Sequence, residues 1–224
     1  MLTTIALDPA DALIRKLIKR LDPPKHSKVV EIGGRYGFSS CSLASENLDL
    51  SFEVRCDSED FLSRGKTSLD VELEDKVAFT YVTSLFNPPP SDDSSNVSVY
   101  VIRNLLWNWS DGDAVKLLKP LLPTLRATTS SRILVTDGVS PLPNDFPPHI
   151  EIGYRRRDIT TMTMHNVKQR TLSEWLQLFA RVDPSLKVSF QFATDNITDV
   201  AKVYTESERT SHVYKGIWEL RLEA

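Results

Sequence analysis

Residues Val29 to Ser40 read Val-Val-Glu-Ile-Gly-Gly-Arg-Tyr-Gly-Phe-Ser-Ser, an apolar run followed by a glycine-rich turn and a helix-forming segment. This order predicts a strand, a loop and a helix. In an open α/β sheet such a turn lies at the carboxyl end of the first strand, where glycines let the backbone approach a ligand and the helix N-terminus presents free N–H groups. The turn alone is as compatible with ordinary turn chemistry as with a nucleotide site, so the rest of the chain must decide between them.

Strands and helices alternate on both sides of this stretch. Apolar runs predict strands at Lys28–Ile32, Ser51–Arg55, Val77–Val82, Val97–Ile102 and Arg132–Thr136. Asp8 and Pro9 are a helix cap and a first helical residue, and they predict a helix that ends at Leu21. A second amphipathic helix is predicted from Asp111 to Leu122. This alternation predicts a parallel, doubly wound sheet.

The C-terminal third has a different pattern. Pro141 to Pro148 reads as a proline-rich excursion, and Thr171 to Glu174 reads as a capping box that starts a helix. Closing strands are predicted at Leu186–Ala193 and Val213–Leu222. The length of 224 residues suits one α/β domain, which we assign to residues 1–224.

Composition restricts the classes of partner. The net charge is −3 and there is no dense Lys/Arg block, so the sequence predicts neither a nucleic-acid nor a membrane partner. Two cysteines, Cys41 and Cys56, and no signal peptide or long apolar segment predict a reducing, cytoplasmic location. The four histidines have no metal-ligand spacing, so no metal is predicted. A small molecule or another protein is the expected partner.

Four blocks of the sequence carry a resemblance to a known family. They are Val29–Gly37, Tyr100–Val115, Arg132–Asp137 and Arg157–Trp175, and together they extend over nearly the whole chain. Their order and spacing resemble the catalytic domain of S-adenosylmethionine-dependent small-molecule O-methyltransferases of fungal and plant secondary metabolism. The resemblance implies a Rossmann-like class I methyltransferase fold, with a seven-stranded, mostly parallel sheet whose last strand is antiparallel.

The resemblance also implies a set of cofactor-binding residues for S-adenosylmethionine: Glu31, Gly33, Gly34, Gly37 and Arg103. Asp57 is a further candidate because it follows the second strand, where nucleotide folds bind ribose hydroxyls, and the alternative is a solvated residue at the strand end. This part of the chain departs from the family at three positions. Arg35 replaces the third loop glycine, Cys56 stands where the acid after the second strand is expected, with Asp57 one place late, and Thr83 replaces the acid after the third strand. We therefore expect weak binding of S-adenosylmethionine.

The substrate side departs from the family as well. In the family, the segment after the fourth strand resembles Arg-His-x-Leu-His-Asp-Trp. The second His of this segment is the general base that accepts the proton of the substrate hydroxyl. Here that position is Trp107, whose indole has a donor N–H and no basic lone pair. The Glu that orients this His is matched by Gln169, whereas the other orienting acid is kept as Asp137. The pattern predicts that base-assisted methyl transfer is lost.

Other residues of these blocks are candidates for the site. His165 and Asp137 are the candidate catalytic residues, and Trp107, Met162 and Gln169 the candidate substrate-pocket residues. The alternative for His165 is a loop residue without a role, and the alternative for Met162 is core packing. The run Arg155–Arg157 is either solvated or, at one residue, able to hold an anionic substrate.

Three classes of function remain open. The first is a repurposed small-molecule enzyme of the cyclase, pericyclase or isomerase type, in which binding and electrostatics guide a rearrangement. The second is an S-adenosylmethionine-dependent O-methyltransferase that acts on a small phenol or enol. The third is a non-catalytic partner subunit of a full-length relative. Family members carry an N-terminal dimerisation domain, which we expect to be absent here. We therefore expect the first helix to expose apolar surface and the chain to form a homo- or hetero-oligomer.

Overall fold

The protein folds around one seven-stranded sheet. The structure, a computed structural model, describes residues 9–46, 49–91, 93–192 and 215–222. The strands are β1 (Lys28–Ile32), β2 (Ser51–Cys56), β3 (Val77–Tyr81), β4 (Val97–Arg103), β5 (Arg132–Gly138), β6 (Leu186–Phe192) and β7 (Lys215–Leu222). Their order is β3-β2-β1-β4-β5-β7-β6, and β7 runs antiparallel to both of its neighbours while β1 to β5 pair in parallel. The predicted Rossmann-like class I methyltransferase fold is confirmed.

Helices cover both faces of the sheet. They are α1 (Pro9–Leu21), α2 (Phe38–Ala44), α3 (Glu59–Thr67), α4 (Asp93–Asn96), α5 (Asp111–Leu118), α6 (Leu122–Ala127), α7 (Pro148–His165) and α8 (Leu172–Val182). Apolar side chains of α1, α2 and α3 pack on one face, and those of α5, α6 and α8 on the other. Strands buried on both faces read as nearly continuous apolar runs, as β4 and β5 do.

The strand order reverses between β1 and β4, which are neighbours in the sheet although β2 and β3 lie between them in the chain. Open α/β sheets bind their ligands at the carboxyl ends of the strands beside such a reversal. Here the two loops at that point are the glycine-rich turn after β1 and the segment 104–110 after β4. The topology therefore brings together the two stretches in which the sequence departs most from the family.

The predicted strands agree with the observed ones to within two residues, and the predicted capping box is present. Thr171 Oγ1 accepts the Glu174 N–H at 3.3 Å, and Glu174 Oε2 accepts the Thr171 N–H at 2.8 Å. Asp8, Ala193 and Val213, which bounded predicted elements, lie outside the described residues.

Helix α7 was not predicted, and His165 is its last residue rather than a loop residue. Its apolar side chains are spread around the axis, so the sequence shows no helical stripe. Pro148 suits the first position of a helix, where its missing N–H is not needed. The helix ends at Asn166, whose φ of 54° lies in the left-handed region.

The expectation that α1 exposes apolar surface is wrong for its described side chains. Ile14, Leu17 and Ile18 are at most 3% exposed, because they pack on α2 and on the strands beneath it. Exposed apolar side chains lie on α7 instead, at Ile152, Ile159, Met162 and Met164. Within the described part of the chain, no helix has both the length and the apolar character needed to cross a bilayer.

Candidate functional site

A cleft of about 630 Å³ opens at the carboxyl ends of β4 and β5, with α7 as one wall. It is lined by four of the candidate site residues, which come from three separate blocks of the sequence: Trp107, Asp137, His165 and Gln169. Its volume lies in the range of small-molecule sites, which is roughly 300–1,000 Å³. The fold thus gathers the predicted substrate-side residues around one space of suitable size.

Trp107 lies in a single 3-10 turn, Leu106–Asn108, that follows β4. Its backbone N–H donates to Asp137 Oδ2 at 3.0 Å, and its indole N–H donates to the carbonyl oxygen of Asn104 at 2.9 Å. The indole meets the His165 ring edge-on, with the ring centroids 5.5 Å apart. The donor of the indole is therefore used within the protein, and the side chain offers the cleft an aromatic surface without a proton acceptor.

Asp137 is the buried acid of the cleft. It lies near the end of β5, is 1% exposed, and accepts backbone N–H groups from Gly138 at 2.8 Å and from Trp107. Burial disfavours the charged carboxylate and raises the pKa of Asp137 to about 7, although the backbone donors and Arg170 act in the opposite direction. Near neutral pH this carboxyl group is present in both protonation states.

The raised pKa of Asp137 predicts a pH dependence of stability. Above pH 3.8, the ordinary pKa of this carboxyl group, the unfolded chain loses a proton that the folded chain keeps. The stabilisation that Asp137 contributes is therefore complete below about pH 4 and is lost as the pH rises through 7. We expect the free energy of unfolding to fall by up to about 4 kcal/mol over this interval, at about 1.4 kcal/mol for each pH unit.

Urea unfolding of the wild type and of Asp137→Asn at pH 4.5, 6 and 7.5 measures this slope. The neutral amide cannot titrate, so the variant should lose most of the slope, whatever its absolute stability. Equal slopes in both proteins would show that Asp137 is not the titrating group.

Gln169 connects the segment after α7 to side chains of that helix. Its side-chain Nε2 donates to Thr161 Oγ1 at 3.0 Å, and its backbone N–H donates to Asp158 Oδ1 at 2.8 Å. Both contacts tie the segment after α7 to the helix itself. The side chain of Met162, a predicted pocket residue, is 53% exposed and lies outside the lining of the cleft, which includes Met164 instead.

Arg170 holds the segment that carries Trp107. This guanidinium is buried, donates to the carbonyl oxygens of Leu106 at 3.0 Å and Trp109 at 2.7 Å, and pairs with Asp111 at 2.8 Å. It also lies over the Trp175 ring, 4.8 Å from its centroid. Arg170 was not predicted as a site residue, although it lies in the block Arg157–Trp175 directly before the helix cap Thr171.

Because α7 was not predicted, further lining residues were missed, and Arg157 could not be distinguished from the other arginines of its run. Arg157, Thr160, Thr161 and Met164 follow one another at intervals of three, one and three residues, and they form one face of this helix toward the cleft. Lys215 also lines the cleft, from the start of β7, where it pairs with Gly138. The lining residues on α7 could have been predicted from their spacing if a helix had been assumed. Lys215 could not, because the pairing of β5 with β7 joins distant parts of the chain.

The glycine-rich turn after β1 keeps a defined shape. Glu31 is buried, and its Oε2 accepts both the backbone N–H of Ser40 at 3.1 Å and the Ser40 hydroxyl at 2.6 Å. A Cβ on Gly34 would lie 2.6 Å from Glu31 Cδ, so a side chain at this position would displace the buried Glu31 carboxylate. Gly33 and Gly37 have φ angles of 70° and 72° in the left-handed region.

The positions that depart from the family lie around this turn. Arg35 is exposed, has a φ of 48°, and places its guanidinium 5.3 Å from the Phe61 ring centroid. At the end of β2, Cys56 is buried and Asp57 is exposed. Arg103 ends β4 and is half-buried. A carboxylate and a glycine turn are therefore present at the switch point, and the left-handed conformation of Arg35 costs about 1–2 kcal/mol relative to glycine.

Comparisons with known proteins place the chain among O-methyltransferases. It is 40% identical over 189 residues to O-methyltransferase phnC of Penicillium herquei, a match of 81% of this chain and 44% of that protein. It is 32% identical over 161 residues to O-methyltransferase sol2 of Alternaria solani, a match of 71% and 37%. The chain thus spans less than half the length of these relatives. No protein-family model matches the chain.

Solved structures show the same fold. LepI in complex with S-adenosylmethionine matches 89% of this chain and 44% of its own, with a TM-score of 0.65 and 21% identity. Human N-acetylserotonin methyltransferase, also in complex with S-adenosylmethionine, matches 97% and 52%, with a TM-score of 0.67 and 14% identity. By sequence and by fold, this chain is an O-methyltransferase-like protein that corresponds to part of the fungal O-methyltransferases.

Proposed function

We propose that this protein is a repurposed small-molecule enzyme of the cyclase, pericyclase or isomerase type, which binds a biosynthetic intermediate in the cleft and does not carry out base-assisted O-methylation. The observation that carries the proposal is Trp107. At the position where the resemblance places the general base, the cleft has an indole whose N–H is bonded to Asn104. A group with no basic lone pair cannot accept the substrate proton.

The surroundings of Trp107 support the same proposal. Gln169, at the position of the orienting acid, bonds to Thr161, so no carboxylate is available there to stabilise a cationic base. The cleft keeps an aromatic pair, Trp107 and His165, together with several side chains that can form hydrogen bonds. An aromatic surface and fixed dipoles suffice to hold a flexible substrate in a reactive conformation, which can lower the barrier of a rearrangement by several kcal/mol.

The residues around the glycine-rich turn fit S-adenosylmethionine in part. Glu31, Gly33, Gly34 and Gly37 keep the turn, and Asp57 offers an exposed carboxylate at the end of β2. When bound, this cofactor would supply an electrophilic methyl group and a positive charge. Arg35 opposes close approach of the backbone at the third glycine position, and Cys56 replaces the expected acid. We infer weak binding.

The inferred weak binding predicts an effect of Arg35. The wild type should bind S-adenosylmethionine with a Kd above the low micromolar range, and Arg35→Gly should tighten binding by about tenfold, or 1.4 kcal/mol, because it removes the bulk and the left-handed strain. Isothermal titration calorimetry measures both values. Arg35→Ala is the matched control: it removes the bulk, keeps the strain, and should gain less. A wild-type Kd of about 1 µM would refute the inference.

Methyl transfer by the wild type tests the proposed function itself. A panel of phenols and enols is incubated with the protein at an S-adenosylmethionine concentration that calorimetry shows to be saturating, and methylated products are quantified by mass spectrometry. We expect no turnover above the protein-free rate. Robust turnover would refute the proposal.

The second candidate function is O-methylation without the usual base, and three observations favour it. His165 lines the cleft, and the pKa of Asp137, raised by burial to about 7, suits proton transfer at neutral pH. The relative from Penicillium herquei is named an O-methyltransferase. Wild-type turnover that falls in His165→Gln or Asp137→Asn would favour this candidate.

A further inference from the structure

We propose that the cleft selects planar small molecules that carry a carboxylate, with the carboxylate bound by Arg157. This inference rests on the proposed function, since it names the substrate class of the same cleft. Its basis is the placement of charge along α7 and β7.

The three arginines of the run Arg155–Arg157 have different surroundings. Arg155 Nη2 donates to Glu151 Oε1 at 2.8 Å, and Arg156 is exposed on another side of the helix. Arg157 is half-buried and lines the cleft, and no side chain among the residues that the structure describes pairs with its guanidinium. A half-buried guanidinium has given up part of its hydration and has five donors available for a ligand.

Among the described residues, the lining of the cleft has more cationic than acidic side chains. Lys215 adds a second cation to the lining, and Asp137 is the only acidic residue of the lining among the described residues. Both Asp137 oxygens already accept backbone N–H groups, from Gly138 and Trp107. The lining is therefore cationic, and this favours an anionic ligand.

The spacing along α7 sets the shape of that ligand. Arg157 and His165 lie eight residues apart on one face, which is about 12 Å along the helix axis at 1.5 Å per residue. The Trp107–His165 aromatic pair is at the far end of this face. A rigid aromatic ring against this pair, with a carboxylate on the opposite side of the molecule, would reach the guanidinium of Arg157. A guanidinium binds a carboxylate through two parallel hydrogen bonds.

Two matched probes test the inference: 6-hydroxy-2-naphthoate and its neutral amide, 6-hydroxy-2-naphthamide, with binding measured by calorimetry without cofactor. We expect the wild type to bind the acid at least tenfold more tightly than the amide. Arg157→Gln should reduce this ratio to below about threefold. Arg156→Gln, which changes the exposed neighbour on the same helix, should leave the ratio unchanged.

The outcomes separate this inference from the proposed function. Equal binding of acid and amide by the wild type, or a ratio that survives in Arg157→Gln, would overturn the carboxylate inference and leave the proposed function standing. Failure of both probes to bind would overturn the inference and count against a small-molecule cleft. Robust methyl transfer by the wild type would overturn the proposed function while a tenfold acid preference still supports the carboxylate site.

Discussion

Restoring the base and its orienting acid, by Trp107→His together with Gln169→Glu, should raise methyl transfer to phenols and enols at least about a hundredfold over the wild type. A positioned general base typically contributes 10²–10⁴-fold to the rate. The two changes are needed together, because an orienting acid acts through the base that it holds.

The backbone at position 107 is already fixed in the structure. The backbone N–H of Trp107 is fixed by Asp137, so a histidine there starts from a backbone that the buried acid already holds. Removing the indole breaks its bond to the Asn104 carbonyl and its contact with His165, and an imidazole is smaller than an indole. Gln169 and Glu have nearly the same shape, so the second change mainly adds a charge at this position.

The assay needs a control that removes the indole without adding a base. Trp107→Phe combined with Gln169→Glu does this, and we expect its rate to equal that of the wild type. All proteins are compared at saturating S-adenosylmethionine, so that the rate reports the chemical step. A rise in the Phe variant as large as in the His variant would show that space, not a base, limits the reaction.

The prediction would also be wrong if the His variant binds cofactor and substrate by calorimetry but shows no methyl transfer. That result would mean that the backbone at position 107 does not aim a side chain at the substrate hydroxyl.

The fold followed from the sequence because its signals are local. The apolar runs of β1, β4 and β5 are buried on both faces, and Gly33 and Gly37 of the turn adopt backbone angles that favour glycine. Each of these features is decided by a few adjacent residues. The resemblance then supplied the antiparallel direction of the last strand, whereas the place of β7 between β5 and β6 joins residues far apart in the chain and was not predicted.

The site could be predicted only in part, since several of its members depend on α7. That helix has no apolar stripe, and without it the face with Arg157, Thr161 and His165 cannot be recognised. Lys215 reaches the cleft through an antiparallel pairing, and the burial of Arg170 depends on three segments that meet in space. Properties of this kind arise from tertiary contacts, so neither periodicity nor spacing reports them.

The buried Arg170 gives the second large effect: Arg170→Met should lower the free energy of unfolding by about 2–6 kcal/mol, because two carbonyl acceptors lose their donor. The substitution keeps the approximate volume and removes the charge. It leaves the carbonyl oxygens of Leu106 and Trp109 without their donor and Asp111 without its buried partner. Each buried acceptor that loses its hydrogen bond costs about 1–3 kcal/mol.

Arg181→Met is the matched control. Arg181 pairs with the same carboxylate, Asp111, at 3.3 Å, but its side chain is 55% exposed, and exposed pairs contribute roughly 0–1 kcal/mol. Urea unfolding of both variants at one pH should therefore show a large loss for Arg170→Met and a change below about 1 kcal/mol for Arg181→Met.

A local readout links this stability effect to the cleft. Because Arg170 bonds to the carbonyl oxygens on both sides of Trp107, its loss should release the turn Leu106–Asn108, and hydrogen exchange of the Trp107 amide should become faster than in Arg181→Met under conditions where both variants remain folded. Losses of similar size in the two variants would show that the ion pair to Asp111 is the main contribution. Unchanged exchange at Trp107 would show that Asp137, through its own bond to that N–H, is sufficient to hold the turn.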